Sequence, residues 1–139
     1  MTARFRTRRE VVGMAAALAA APKVNPAGDP VVDIAREWLS LHGRAVAAWQ
    51  RCHEARAEGL ETEGRAAWEL ANELSNSLEG LAYRLETTSA ASLAGAILRV
   101  EVAWKLSLFD QDPLDPLEMQ EHRILMSAMD DFRRLVPSL

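Results

Sequence analysis

Eighty-two consecutive residues, Val31 to Asp112, contain no proline. Proline is the strongest helix breaker, so a stretch of this length leaves room for several uninterrupted helices. Alanine, the best helix former, occurs 24 times in the 139-residue chain, whereas Val, Ile and Thr together number 17. That balance disfavours a strand-built fold. The length suits one domain around one core.

Apolar residues inside this stretch fall into stripes. Val31, Ile34, Trp38, Leu41, Ala45, Ala48, Cys52 and Ala55 recur at alternating spacings of three and four, the period of a helix that presses one narrow face on a partner. Asp29-Pro30 supplies an N-cap and a proline at the first helical position, with Asp33 in the first turn. These signals predict a helix from residue 30 to about 57, ~40 Å long. Gly59 and Gly64 bracket a turn in which Thr62 is a candidate N-cap, and Ala67, Ala71, Leu74, Leu78, Leu81 and Leu85 form a second stripe. A third segment opens at Thr87-Thr88-Ser89 and carries Leu93, Ile97, Val100, Trp104 and Leu108, padded by Ala96 and Ala103. After a break at 110–116, Asp115-Pro116-Leu117-Glu118 has a capping-box arrangement. The helix it starts is expected to bury Leu117, Ile124, Leu125, Ala128, Phe132 and Leu135 and to stop at Pro137. The expected fold is all-α, an up-down helical bundle of three to four helices built on a long antiparallel helical hairpin. Trp38 and Trp104 lie on their stripes and are expected in the core.

Charge divides the chain. Residues 1–30 hold five basic and two acidic side chains, and the remainder holds 11 basic and 18 acidic ones, a net of −7. An acidic body repels phosphate backbones, so no nucleic-acid partner is expected. Charged residues fall beside the stripes, and pairs such as Glu54–Glu58 and Glu69–Glu73 read as solvated surface.

The basic beginning has the layout of an export leader. A positive segment ends at Arg8-Arg9, an 11-residue mildly apolar run follows from Val11 to Ala21, and Ala17-Leu18-Ala19 is a small-x-small cleavage site. The run is too short to span a bilayer. Thr7-Arg8-Arg9-Glu10-Val11-Val12 resembles the twin-arginine export signal, although valines stand where Phe and Leu are usual and Gly13 replaces the common lysine. That resemblance implies export of an already folded cargo. The expected organisation is an export signal at 1–21, a proline-rich linker at 22–30 and a helical bundle domain at 31–139. Arg8, Arg9, Ala17 and Ala19 are its candidate signal residues. Periplasmic or secreted placement follows, with the membrane met only through the signal; a cytoplasmic structural or accessory protein, such as a prophage-borne one, with a basic N-terminal tail is the alternative.

Signatures of chemistry are missing. The residues three before His42, His53 and His122 are Leu39, Gln50 and Met119, so the Glu-x-x-His motif of carboxylate-bridged metal bundles is absent. Arg51-Cys52-His53 lacks the first cysteine of a haem attachment motif, and one Cys with three scattered His is too few for zinc. No Gly-rich phosphate loop or nucleophile elbow occurs. Cys52, on the buried stripe, reads as a small apolar filler, and Glu118 with His122 reads as an exposed polar contact. The expectation is a non-enzyme without a cofactor or metal, acting by protein binding or self-association; a carrier or enzyme of unrecognised chemistry is the further alternative. Trp49 and Trp68 flank the stripes on either side of the turn and are the candidate partner surface.

Ala35-Arg36-Glu37-Trp38-Leu39 and Thr87-Thr88-Ser89-Ala90-Ala91-Ser92-Leu93-Ala94-Gly95 carry a wider likeness. With the Arg-Arg leader and the Asp-Pro start, they resemble a loose group of short alphaproteobacterial helical proteins. The resemblance implies the helical hairpin and brings no activity and no site residues.

Overall fold

The computed structural model describes residues 27–109 and 120–138, and these form four helices. Helix α1 spans Pro30–Ala57, α2 Glu61–Thr87, α3 Leu93–Phe109 and α4 Gln120–Leu135. No strand occurs among the described residues, and the helices pack on one another as an all-α bundle. The export-signal residues Arg8, Arg9, Ala17 and Ala19, and the expected start of the last helix at Asp115-Pro116, lie outside the described residues.

α1 begins as its sequence dictates. Asp29 has an extended backbone, and its Oδ1 accepts a hydrogen bond from the Val31 N–H at 3.0 Å. The helix closes on Gly59, whose φ of 74° is open to glycine at no steric cost. The Leu60 N–H bonds the Ala55 carbonyl at 2.8 Å and the Gly59 N–H bonds that of Arg56 at 3.2 Å. These two bonds satisfy carbonyls left open at the helix end and turn the chain directly into α2. Thr62 is not the cap of α2: the helix starts one residue earlier, and Leu60 at the cap position makes no side-chain bond.

The hairpin stripes face each other. Val31, Ile34, Trp38, Ala45, Ala48, Cys52 and Ala55 of α1 are buried, as are Ala67, Ala71, Leu74, Leu81 and Leu85 of α2. At the hairpin's open end, Val31, Ile34, Trp38, Leu81, Ala82 and Leu85 meet Ala96, Val102 and Ala103 of α3 and Ile124, Ala128 and Phe132 of α4 in one core. Toward the turn, Ala45, Ala48, Ala71 and Leu74 form a separate seam to which, among the described residues, only α1 and α2 contribute. The lengths explain this. α3 starts level with α1 but has 17 residues against 28, about 25 Å against about 42 Å. The hairpin therefore projects as a two-helix arm.

Helix directions alternate, but the arrangement in space is not a simple cycle. α1 packs on α2 and α3, and α4 packs on α3 and α2, so the order around the bundle is α1, α2, α4, α3. The connection from Thr88 to Ser92 consequently crosses the bundle end diagonally. Its Ala90 and Ser92 are buried, and buried backbone must find hydrogen bonds. Asp29 Oδ2 accepts from both the Ser92 N–H (2.9 Å) and its hydroxyl (2.6 Å), and the Ser92 Oγ in turn accepts from the Gly95 N–H at 3.2 Å. Asp131 Oδ1 accepts from the Ala90 N–H at 3.1 Å, and Arg134 Nη2 donates to the Ala90 carbonyl. Ser92, rather than the Thr87-Thr88-Ser89 run, is thus the start of α3, while Thr87 closes α2 by donating to the Tyr83 carbonyl at 3.0 Å.

α3 departs from its expected face. Ile97 is 51% exposed and Trp104 66% exposed, so these two point outward, while Leu93 and Val100 pack partly on the core; the buried positions include Ala96, Arg99, Val102 and Ala103. Of the tryptophans, only Trp38 is fully buried. On α4, Ile124, Ala128 and Phe132 are buried, but Leu125 is exposed. The Glu54–Glu58 and Glu69–Glu73 pairs are exposed as expected, whereas Asp29, Arg99 and Asp131 are charged residues built into the interior.

Gly95 tests this packing. A Cβ there would sit 2.3 Å from Asp29 Oδ2 and 3.1 Å from the Ala90 Cβ, while one at Gly80, inside α2, would meet nothing within 4 Å. Gly95→Ala should cost about 1–3 kcal/mol in urea unfolding, and Gly80→Ala should gain about 0.5–1 kcal/mol. Equal effects at the two sites would contradict the close approach of the two helix starts.

Candidate functional site

Three places hold side chains that a mere scaffold does not require. The first is a cleft of about 230 Å³ on one flank of the hairpin. Trp38, His42, Val46 and Trp49 of α1 line one wall, Ser75, Leu78 and Glu79 of α2 the other, and Leu106 and Gln120 contribute from α3 and α4. The wall on α1 arises from helical spacing, because residues 38, 42, 46 and 49 follow one another at single turns. Trp38 and His42 stack, with ring centroids 4.7 Å apart and planes at 17°. Trp49 and His53 tilt together at 6.5 Å and 32°. The Trp38 Nε1 is buried and has no hydrogen-bond acceptor in the protein. Burial pushes the His42 imidazole below its ordinary pKa, and the positive charge of Lys105 pushes it further the same way. His42 is therefore neutral at neutral pH.

The candidate partner residues Trp49 and Trp68 belong to this flank. Trp49 is half-buried in the cleft. Trp68, 44% exposed, stands seven residues before Ser75 and so shares its face two turns away. It lines a separate, more polar groove at the turn with Arg56, Arg65 and Glu69.

The second place is the outer face of α3 and α4. Ile97 and Trp104 are exposed there and Leu93 and Val100 half-buried. Trp104 also borders a notch of about 220 Å³ with Val100, His122 and Leu125. Sequence reasoning placed this stripe in the core because its spacing is that of a buried seam. No sequence signal marks it as outward, because Arg99 on the opposite side reads as a solvent-facing charge.

The third is the polar cluster at the bundle end. Arg99 is 1% exposed and its Nη1 donates to Asp131 Oδ2 at 2.6 Å. Burial lowers the Arg99 pKa, Asp131 and then Asp29 oppose that shift, and Arg134 adds to it. The guanidinium remains charged. Arg99 Nε and Nη2 have no acceptor in the protein. The cluster is closed by its own helices, and its bonds run to backbone groups of Val31, Ala90 and Ser92 and among its own side chains, so its work is structural.

Cys52 is fully buried and unpaired, inside the α1–α2 seam. Among the described residues, no group of three or more His, Cys, Asp or Glu side chains is placed to hold a metal ion. Compared with protein-family models, curated proteins and solved structures, the chain matches none.

Proposed function

We propose that the protein is a small exported helical protein that acts by binding, through the outer face of α3, to a helix of another protein or of a second copy. The observation that carries this reading is the stripe Leu93, Ile97, Val100 and Trp104. Its spacings of four, three and four are those of a coiled-coil seam, yet Ile97 and Trp104 lie open to water. Exposed apolar area costs roughly 25 cal/mol per Å², and an aromatic side chain offers the largest area to a partner. Leu125 extends the apolar surface across to α4. One seam of four side chains makes a small interface, which fits reversible association.

Export is supported by the order of basic segment, apolar run and small-x-small site in residues 1–21, and by Thr7-Arg8-Arg9 within it. No helix among the described residues is long and apolar enough to cross a membrane.

Sedimentation velocity of the trimmed chain, 22–139, should show an average mass that rises with concentration. Trp104→Glu should hold it monomeric with unchanged helix content, and Trp68→Glu should leave association intact. A chain that stays monomeric to millimolar concentration contradicts self-association through this face. For export, a full-length fusion to a periplasmic reporter should be translocated, and replacing Arg8 and Arg9 with lysine should stop it. Export that survives the change removes the twin-arginine route.

A further inference from the structure

α3 and α4 pack side by side in opposite directions, and their outer sides form one layer. Ile97 and Trp104 on α3 and Leu125 and Met126 on α4 are all exposed. Leu125 borders the notch beside Trp104, and Met126 stands about 100° further round from the buried Ile124. Glu101, exposed three residues before Trp104, lies on the edge of α3 away from the notch residues Val100 and Ala103. Arg133, seven residues after Met126, shares its side of α4 and is exposed. It also touches Asp130 of its own helix, an exposed contact that contributes little.

Area and charge both suit a second copy as the occupant of this layer. The four exposed side chains offer about 300 Å² of apolar surface, the size of the largest patch on a typical monomer, and such patches are often functional. A second copy brings an equal patch. Two facing layers, with the half-buried Leu93, Val100 and Met129 at their margins, remove roughly 800–1,000 Å² from water, too little for a permanent dimer and enough for a reversible one.

The contact between Arg99 and Asp131 sets those residues about level. Counting along the antiparallel helices, Trp104 is then about level with Met126, and Glu101 with Met129, one turn from Arg133. A two-fold axis parallel to the helices and midway between them lays α3 of each copy on α4 of the other. Trp104 of one copy meets Met126 of the other. Glu101 and Arg133 come together across the interface, because each side chain leans back toward its own helix N-terminus and so toward the other. Both contacts occur twice.

We propose that α3 and α4 together bind a second copy of this chain, as a two-fold dimer in which α3 of each copy packs on α4 of the other. The dimer rests on the reading of the α3 stripe as a binding surface, and adds to it both α4 and the identity of the partner. Its four central helices alternate in direction around a shared apolar seam, as in an up-down four-helix bundle.

Sedimentation velocity of the full chain over a concentration series should show monomer passing to dimer. Met126→Glu should weaken the dimer about tenfold, as Trp104→Glu does, with helix content unchanged. Glu101→Arg and Arg133→Glu should each weaken it about fivefold. An equal mixture of those two variants should dimerise as tightly as the unaltered chain, because every charge then meets its opposite. A dimer broken by Trp104→Glu but not by Met126→Glu, or a mixture that stays weak, would overturn the proposal and leave the α3 stripe as the binding surface. A dimer indifferent to Trp104→Glu would overturn both. A chain that is monomeric throughout would exclude the second copy as partner.

Discussion

Two buried carboxylates determine how this bundle closes. Asp29 caps α1 with one oxygen and holds the start of α3 with the other. Asp131 bonds the Ala90 N–H, Arg99 and Arg134. The segment between α2 and α3 must cross the bundle end, and a crossing segment buries peptide groups that water would otherwise satisfy. The carboxylates, with Arg134, replace that water. Gly95 then follows as a requirement, since the approach of Asp29 leaves no room for a side chain. The side-by-side helix starts, the diagonal connection and the inward Arg99 are one arrangement. Charges taken out of water are costly unless hydrogen-bonded, and here nearly every bond of the cluster ends on the connection or on a neighbouring helix.

This arrangement explains which parts of the fold were legible in the sequence. The hairpin was, because α1 and α2 meet along regular stripes and each is amphipathic in the ordinary sense. Asp29-Pro30 and Gly59 marked its ends through local backbone chemistry. α3 was not, because it is apolar on two sides. The larger residues Ile97 and Trp104 form the clearer periodic stripe, whereas the buried side carries Gly95, Ala96 and Ala103 together with Val102 and the charged Arg99. A reading that follows bulk and regularity selects the outer face. Arg99 and Asp131 carry no sequence signal of burial, because a single charge has no periodicity; only the diagonal crossing gives them a reason to be inside.

The sites divide in the same way. Trp49 and Trp68 were placed on either side of the turn by counting residues, and helical register does set them on one flank. Trp38, expected in the core, is buried there with His42 stacked on it. The outer face of α3 was hidden by its own regularity. Each feature that is now a candidate for binding lies where the described bundle stops short: the arm extends beyond the end of α3, and among the described residues no further helix covers the outer stripe.

The central claim is that Asp131 matters more for the backbone it satisfies than for its ion pair with Arg99. Urea unfolding of Arg99→Met, alone and combined with Asp131→Ala, measures this directly. Arg99→Met leaves Asp131 its bonds to Ala90 and Arg134, and should cost less than about 1.5 kcal/mol. Adding Asp131→Ala, with no guanidinium at 99 left to orphan, unpairs the Ala90 N–H and should bring a further loss of about 1–3 kcal/mol. A second step that costs nothing would contradict the claim and make the ion pair itself the fastening of the bundle.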